Sequence, residues 1–211
     1  MLALLAFQWR VPKVAQNNPS CEWDSRREEW SSGGAPALFL IGVLLLAIFF
    51  FAESANRAAY SASLGLWVLA TAPPLLTLGI IDMRRGDTLF GTLGMVFGGL
   101  LGFGAGLAFL RPVFLPGPLT MDGYWFLGTS FVILLLAPSA LKKSRLFAFG
   151  LCDAGIAVLL LGLTLSGFLG QEGWSIEVVG YLALVFCIVC FYSATARITN
   201  ETYGRSILPL R

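Results

Sequence analysis

The 211-residue chain has no histidine, and its charged side chains are 14 Lys or Arg against 12 Asp or Glu, 12% of the total. Without histidine there is no Ser/His/Asp triad, no imidazole proton relay and no histidine metal ligand. A net charge of +2 with no run of basic residues excludes the phosphate-neutralising surface that nucleic-acid binding requires. Cysteine is scarce, and three of its four positions, Cys152, Cys187 and Cys190 but not Cys21, lie in apolar stretches. No disulfide framework is expected from that distribution. Cys187-Ile-Val-Cys190 spells CxxC inside an apolar stretch and reads as a pair of small buried residues. Nothing here calls for an enzyme, a cofactor or a metal.

What is abundant is apolar surface. Apolar residues make up 57% of the chain, against roughly 45–50% in soluble proteins, and the mean hydropathy is +0.79. They fall in six blocks, 35–52, 58–81, 88–110, 123–141, 146–169 and 174–196, within which the charged residues are Asp153 and Glu177. About 20 such residues carry a helix across a bilayer. The pattern predicts an all-α, multi-pass cell-membrane protein with six transmembrane helices over 35–211, in contact with the lipid bilayer, preceded by a polar tail over 1–34. The apolar start Met1–Phe7 is too short and wrongly flanked for a signal peptide. Six spans place both termini on one side, and 12 of the 14 Lys and Arg fall on that side. Arg57 and Arg111 are the two on the other. Cytoplasmic loops collect basic residues, so both termini are expected in the cytoplasm.

Four features could carry chemistry. Gly94, Gly98, Gly102 and Gly106 recur every fourth residue and form one small-residue stripe, which reads first as a helix-packing face. The alternative is a pore wall of bare backbone, with Phe90 and Phe97 beside it. Pro73-Pro74 removes two backbone donors in mid-span, which predicts a kink and opens the alternative of a solute site at the break. Asp153 places a carboxyl at membrane depth, where it must face the bundle interior, be protonated or find a partner. It is either a hydrogen-bonded scaffold residue or a proton relay. Glu177 stands in the first turn of its helix, where the dipole tolerates an acid, and reads as structural.

The C-terminal run Asn200-Glu201-Thr202-Tyr203-Gly204-Arg205-Ser206-Ile207-Leu208-Pro209 resembles the closing signature of the acetate uptake transporter family. Gly86-Asp87-Thr88, with Thr92 and Val96-Phe97-Gly98, is similar to that family's Gly-Asn-Thr stretch, and Ala35-Pro36 matches the end of its opening motif. Departures are visible: Asp82 stands where the family has Glu, Phe97 replaces a Tyr, Pro73-Pro74-Leu75 replaces a Gly-Gly…Gln stretch, and Gly42 falls near the family's first constriction aromatic. The resemblance implies a homohexamer with a solute path through each protomer. On it, Phe97 is the constriction, Gly42 lies near it and Thr92 is a hydrogen-bonding wall residue; no family acid matches Asp153, whose role as proton partner belongs to the reading of the residues alone. Asn200, Glu201, Gly204 and Arg205 would fix the last helix.

The leading expectation is a channel or transporter for small monocarboxylates such as acetate, or their protonated acids, coupled to protons. The alternatives are a non-transporting assembly or sensor protein that kept the fold, a channel for another small neutral solute such as ammonia or urea, and a membrane thiol enzyme using Cys187 and Cys190.

Overall fold

A computed structural model describes residues 34–115, 117–169 and 173–209. The tail expected over 1–34 lies outside the described residues except for Gly34. Among the described residues there is no strand, and six helices are long and apolar enough to cross a membrane. They are α1 (Gly34–Glu53), α2 (Arg57–Arg84), α3 (Thr88–Phe114), α4 (Thr120–Ala140), α5 (Arg145–Leu165) and α6 (Gly173–Tyr203). At about 1.5 Å rise per residue each covers the roughly 30 Å of a hydrocarbon core. The chain is a multi-pass membrane protein.

Local chemistry sets the helix ends. Gly86 has φ +83°, a backbone that L side chains rarely adopt, and it turns the chain between α2 and α3. Asp87 then caps α3 by accepting from the Phe90 N–H at 3.2 Å. Ser144 does the same for α5 through the Phe147 N–H at 3.3 Å. Gly167, at φ +88°, stops α5 soon after Leu165, so this helix is shorter than its apolar block 146–169. In contrast, α6 runs past position 196 to Tyr203, carrying Arg197 and Glu201 on its last turns. Likewise α3 continues through Arg111 and Pro112 to Phe114. The Pro73-Pro74 pair does not end α2, which stays one helix across it. Hydroxyls supply extra bonds on either side: Thr71 Oγ1 donates to the Val68 carbonyl at 2.7 Å and Thr77 Oγ1 to that of Pro73 at 2.9 Å.

Each helix packs on its neighbours in sequence, and α6 closes the ring on α1. The glycine stripe seats α3 on α2 within the chain. A Cβ at Gly94 would stand 2.5 Å from the Gly79 Cα, and one at Gly102 would stand 2.7 Å from the Ala72 Cβ. The middle of α3, Val96–Phe103, is π-helical, a wider turn that alters the backbone bonding. There the Leu100 carbonyl accepts from the Trp125 indole N–H of α4 at 3.0 Å.

The closing run folds back along α6. Asn200 Oδ1 accepts from the N–H groups of Ile207 and Leu208 at 2.7 and 3.0 Å, and its Nδ2 donates to the Leu208 carbonyl at 2.9 Å. Gly204 makes the reversal at φ +62°, and Tyr192 Oη donates to the Pro209 carbonyl at 2.7 Å. These contacts give a physical role to Asn200, Gly204 and Pro209. Glu201 and Arg205 are exposed beside them.

Candidate functional site

The ring encloses a cavity of about 260 Å³, lined by residues of all six helices. Sites for drug-sized ligands usually hold about 300–1,000 Å³, so this space suits a smaller solute. It extends from Leu119, Asp122 and Ile176, at the end of the bundle far from the α1 start, to Ile41, Leu75, Phe97 and Phe186 near its middle. Six alanines line it: Ala52, Ala105, Ala108, Ala154, Ala157 and Ala183. Among the described residues on its wall the polar side chains are Ser61 and Asp122. The Ser61 hydroxyl is committed to the Phe109 carbonyl at 2.7 Å. Asp122 pairs with Arg111 Nη1 at 2.5 Å, and Arg111 Nη2 donates to the Pro118 carbonyl at 3.0 Å.

Phe97 and Phe186 form the floor, with ring centroids 5.9 Å apart. Beyond them, toward the end where α1 begins and α6 finishes, Leu38, Phe90, Leu93, Phe147, Leu151 and Cys190 belong to one buried cluster. Phe90 stacks on Phe147 at 5.2 Å. The Arg197 guanidinium lies 4.0 Å from the Phe90 centroid and Lys143 Nζ lies 5.5 Å from it, both within cation–π range. Lys143 also pairs with Asp87 at 2.5 Å. Burial pushes the Asp87 carboxyl up, but the Lys143 and Phe90 hydrogen bonds and the charges of Lys143 and Arg197 outweigh it. The balance holds Asp87 below the usual carboxylate value.

The residues singled out from sequence do not all meet. Phe97 is on the cavity wall, 6% exposed. Thr92, Gly42 and Asp153 do not line this cavity. Thr92 Oγ1 turns back to its own helix and donates to the Thr88 carbonyl at 2.7 Å. Gly42 sits between α1 and α6: a Cβ there would stand 3.0 Å from the Phe191 ring, and its carbonyl accepts from Cys187 Sγ at 3.2 Å. Asp153 is buried beside the wall residue Ala154, and its Oδ2 has no hydrogen-bond partner among the described residues. Phe186 and the Arg111–Asp122 pair escaped sequence reasoning, and Leu75 figured there only within the run that departs from the family. Of the two that escaped, only the pair left a trace, as opposite charges close together around the α3–α4 turn.

A closed ring of six membrane-spanning helices around a small apolar cavity defines a polytopic membrane protein with room for a small solute. No family model and no characterised protein matches the sequence. Among solved structures the chain is similar to the bacterial acetate channel SatP, with 17% identity and a TM-score of 0.72 over 87% of this chain and 100% of that one. The two share a fold.

Proposed function

We propose that the protein is a membrane channel or transporter for short monocarboxylic acids, acetate first, and that it belongs to the acetate uptake transporter family. The observation that carries this reading is the apolar cavity at the centre of a fold shared with a bacterial acetate channel. A carboxylate anion loses its hydration in such a space at high cost, whereas the protonated acid is small and neutral. The path therefore favours the acid, or the anion together with a proton. Phe97 is the constriction and, with Phe186, closes the cavity floor. Both termini face the cytoplasm, and six copies assemble as a homohexamer through outward apolar faces such as Trp67, Phe131 and Leu135.

Asp153 is the proton partner in this reading. Its support is a buried carboxyl oxygen without a partner next to a wall residue. Labelled acetate influx into proteoliposomes, with and without an inward proton gradient, tests the proposal. Influx should exceed that of empty liposomes and rise with the gradient. Asp153→Asn should keep the fold and remove the dependence on the gradient. A variant that responds to pH like the wild type makes Asp153 a scaffold residue. The nearly uncharged wall also suits a neutral solute such as ammonia or urea, and flux of these in place of acetate would select that reading.

A further inference from the structure

We propose that Arg111, at the far mouth of the cavity, is a carboxylate-capture residue whose site is occupied at rest by Asp122. The inference rests on the reading of the protein as a path for short carboxylic acids, and it names the group that first holds them.

The side chain of aspartate is a carboxylate on one methylene, in chemical terms an acetate tethered to the chain. Asp122 lies on the cavity wall, and its Oδ2 is 2.5 Å from Arg111 Nη1. The chain thus holds an acetate-like group on a guanidinium at the edge of the cavity. Guanidinium and carboxylate form charge-assisted hydrogen bonds with matched geometry. Arg111 Nη2 is steadied by the Pro118 carbonyl at 3.0 Å, which fixes the plane of the fork. Of the five N–H donors of an arginine, these two bonds account for two. The side chain remains 31% exposed, so a second anion can reach it.

No other guanidinium is so placed among the described residues at this end. Arg57 has a comparable pair, with Glu177 at 3.2 Å and the Ala52 carbonyl at 2.9 Å from its Nε, but Glu177 is not on the cavity wall, whereas Asp122 is. An arriving acid anion can exchange with Asp122 on Arg111 while the number of ion pairs stays the same. Exchange of like for like keeps capture weak, as conduction requires of a site that must also release its solute. The acid's alkyl end is then beside an apolar wall, with Pro112 and Phe109 on the same helix as Arg111.

Acetate binding to the purified full-length protein tests this without relying on flux. Thermal stabilisation by sodium acetate is measured at fixed ionic strength, against sodium chloride, for wild type, Asp122→Asn, Asp122→Ser and Arg111→Gln. Removing the internal competitor should lower the half-saturating acetate concentration by roughly 3- to 5-fold, the scale of one half-exposed ion pair. Arg111→Gln should abolish the acetate-specific stabilisation. The double variant Arg111→Gln/Asp122→Asn should behave like Arg111→Gln, because Asp122 acts only through Arg111. Aspartate variants that bind acetate no more tightly than wild type overturn the proposal, as does equal stabilisation by chloride. If neither aspartate variant folds, Arg111→Gln decides: loss of acetate stabilisation supports capture and its retention overturns it. A wild type that conducts no acetate, while Asp122→Asn still gains affinity, would remove the transport reading and leave the capture site standing.

Discussion

The two halves of the bundle are made from the same six helices, yet the far half holds a cavity and the terminal half is filled. Side-chain size on α3, α5 and α6 contributes to the difference, although Phe109 also lines the cavity and Ala148 and Ala194 also lie in the terminal core. In the far half α3, α5 and α6 present Ala105, Ala108, Ala154, Ala157 and Ala183 to the centre. In the terminal half the same three helices contribute Phe90, Phe97, Phe147 and Phe186 to the buried core. Interiors pack as densely as organic crystals, so an inward alanine leaves space that an inward phenylalanine fills. The terminal half is also tied by charge, with Asp87, Lys143 and Arg197 gathered around the Phe90 ring. A bundle of six helices can thus hold a cavity toward one side and a filled core toward the other.

The comparison breaks most severely if the ring itself is forced apart. Gly94→Leu drives a side chain into the α2 backbone at Gly79, where even a Cβ stands 2.5 Å away. Overpacking of this kind costs about 1–3 kcal/mol or more. Size-exclusion chromatography should show loss of the folded species. Gly99→Ala on the same helix is the control, since a Cβ there meets nothing closer than 3.8 Å.

The boundary between the halves is sharpened by Phe97→Ala. Deleting the ring removes half of the Phe97–Phe186 floor and extends the cavity toward the packed core below it. In a flux series from formate to butyrate, the preference for short acids should weaken by about tenfold, the scale of one methylene in an apolar pocket. Unchanged size selectivity would move the constriction elsewhere.

The smallest effect is expected in the charged layer of the terminal half. Asp87→Asn keeps an N-cap residue but loses the pair with Lys143, which is partly exposed on both sides. The loss should stay below ~1 kcal/mol. Because the folded state depresses the Asp87 carboxyl, its contribution is present above the unfolded pKa and disappears as pH falls through the lower folded one. Thermal melts of wild type and Asp87→Asn should therefore differ at neutral pH and converge under acid conditions. A gap that persists at low pH would assign the effect to the cap.

The six spans were legible because a bilayer demands length and apolarity, which composition displays directly. The glycine stripe was legible first as a packing face and second as a pore wall, and the close approach of Gly94 and Gly102 to α2 fits the first. The inward faces were not. A helix apolar all round carries no stripe to say which residues turn inward, so nothing marked Phe186 or the alanines, and Leu75 drew notice only as a departure from the family's pattern. Thr92 shows the related limit, since a hydroxyl on a helix can satisfy itself on the carbonyl four residues back. Asp153 was legible as buried, but not that Ala154 beside it would line the cavity instead. Asn200 stood out through its motif, and only the fold shows it clasping the returning chain.

The central claim is that the alanine-lined half is the route of a short acid. Labelled acetate influx into proteoliposomes tests it most directly when wild type is compared with Ala157→Phe, which places a ring where α5 now leaves space. The expected result is influx well above empty liposomes for the wild type and a fall of at least about tenfold for a folded Ala157→Phe. Equal influx through both proteins would contradict the account.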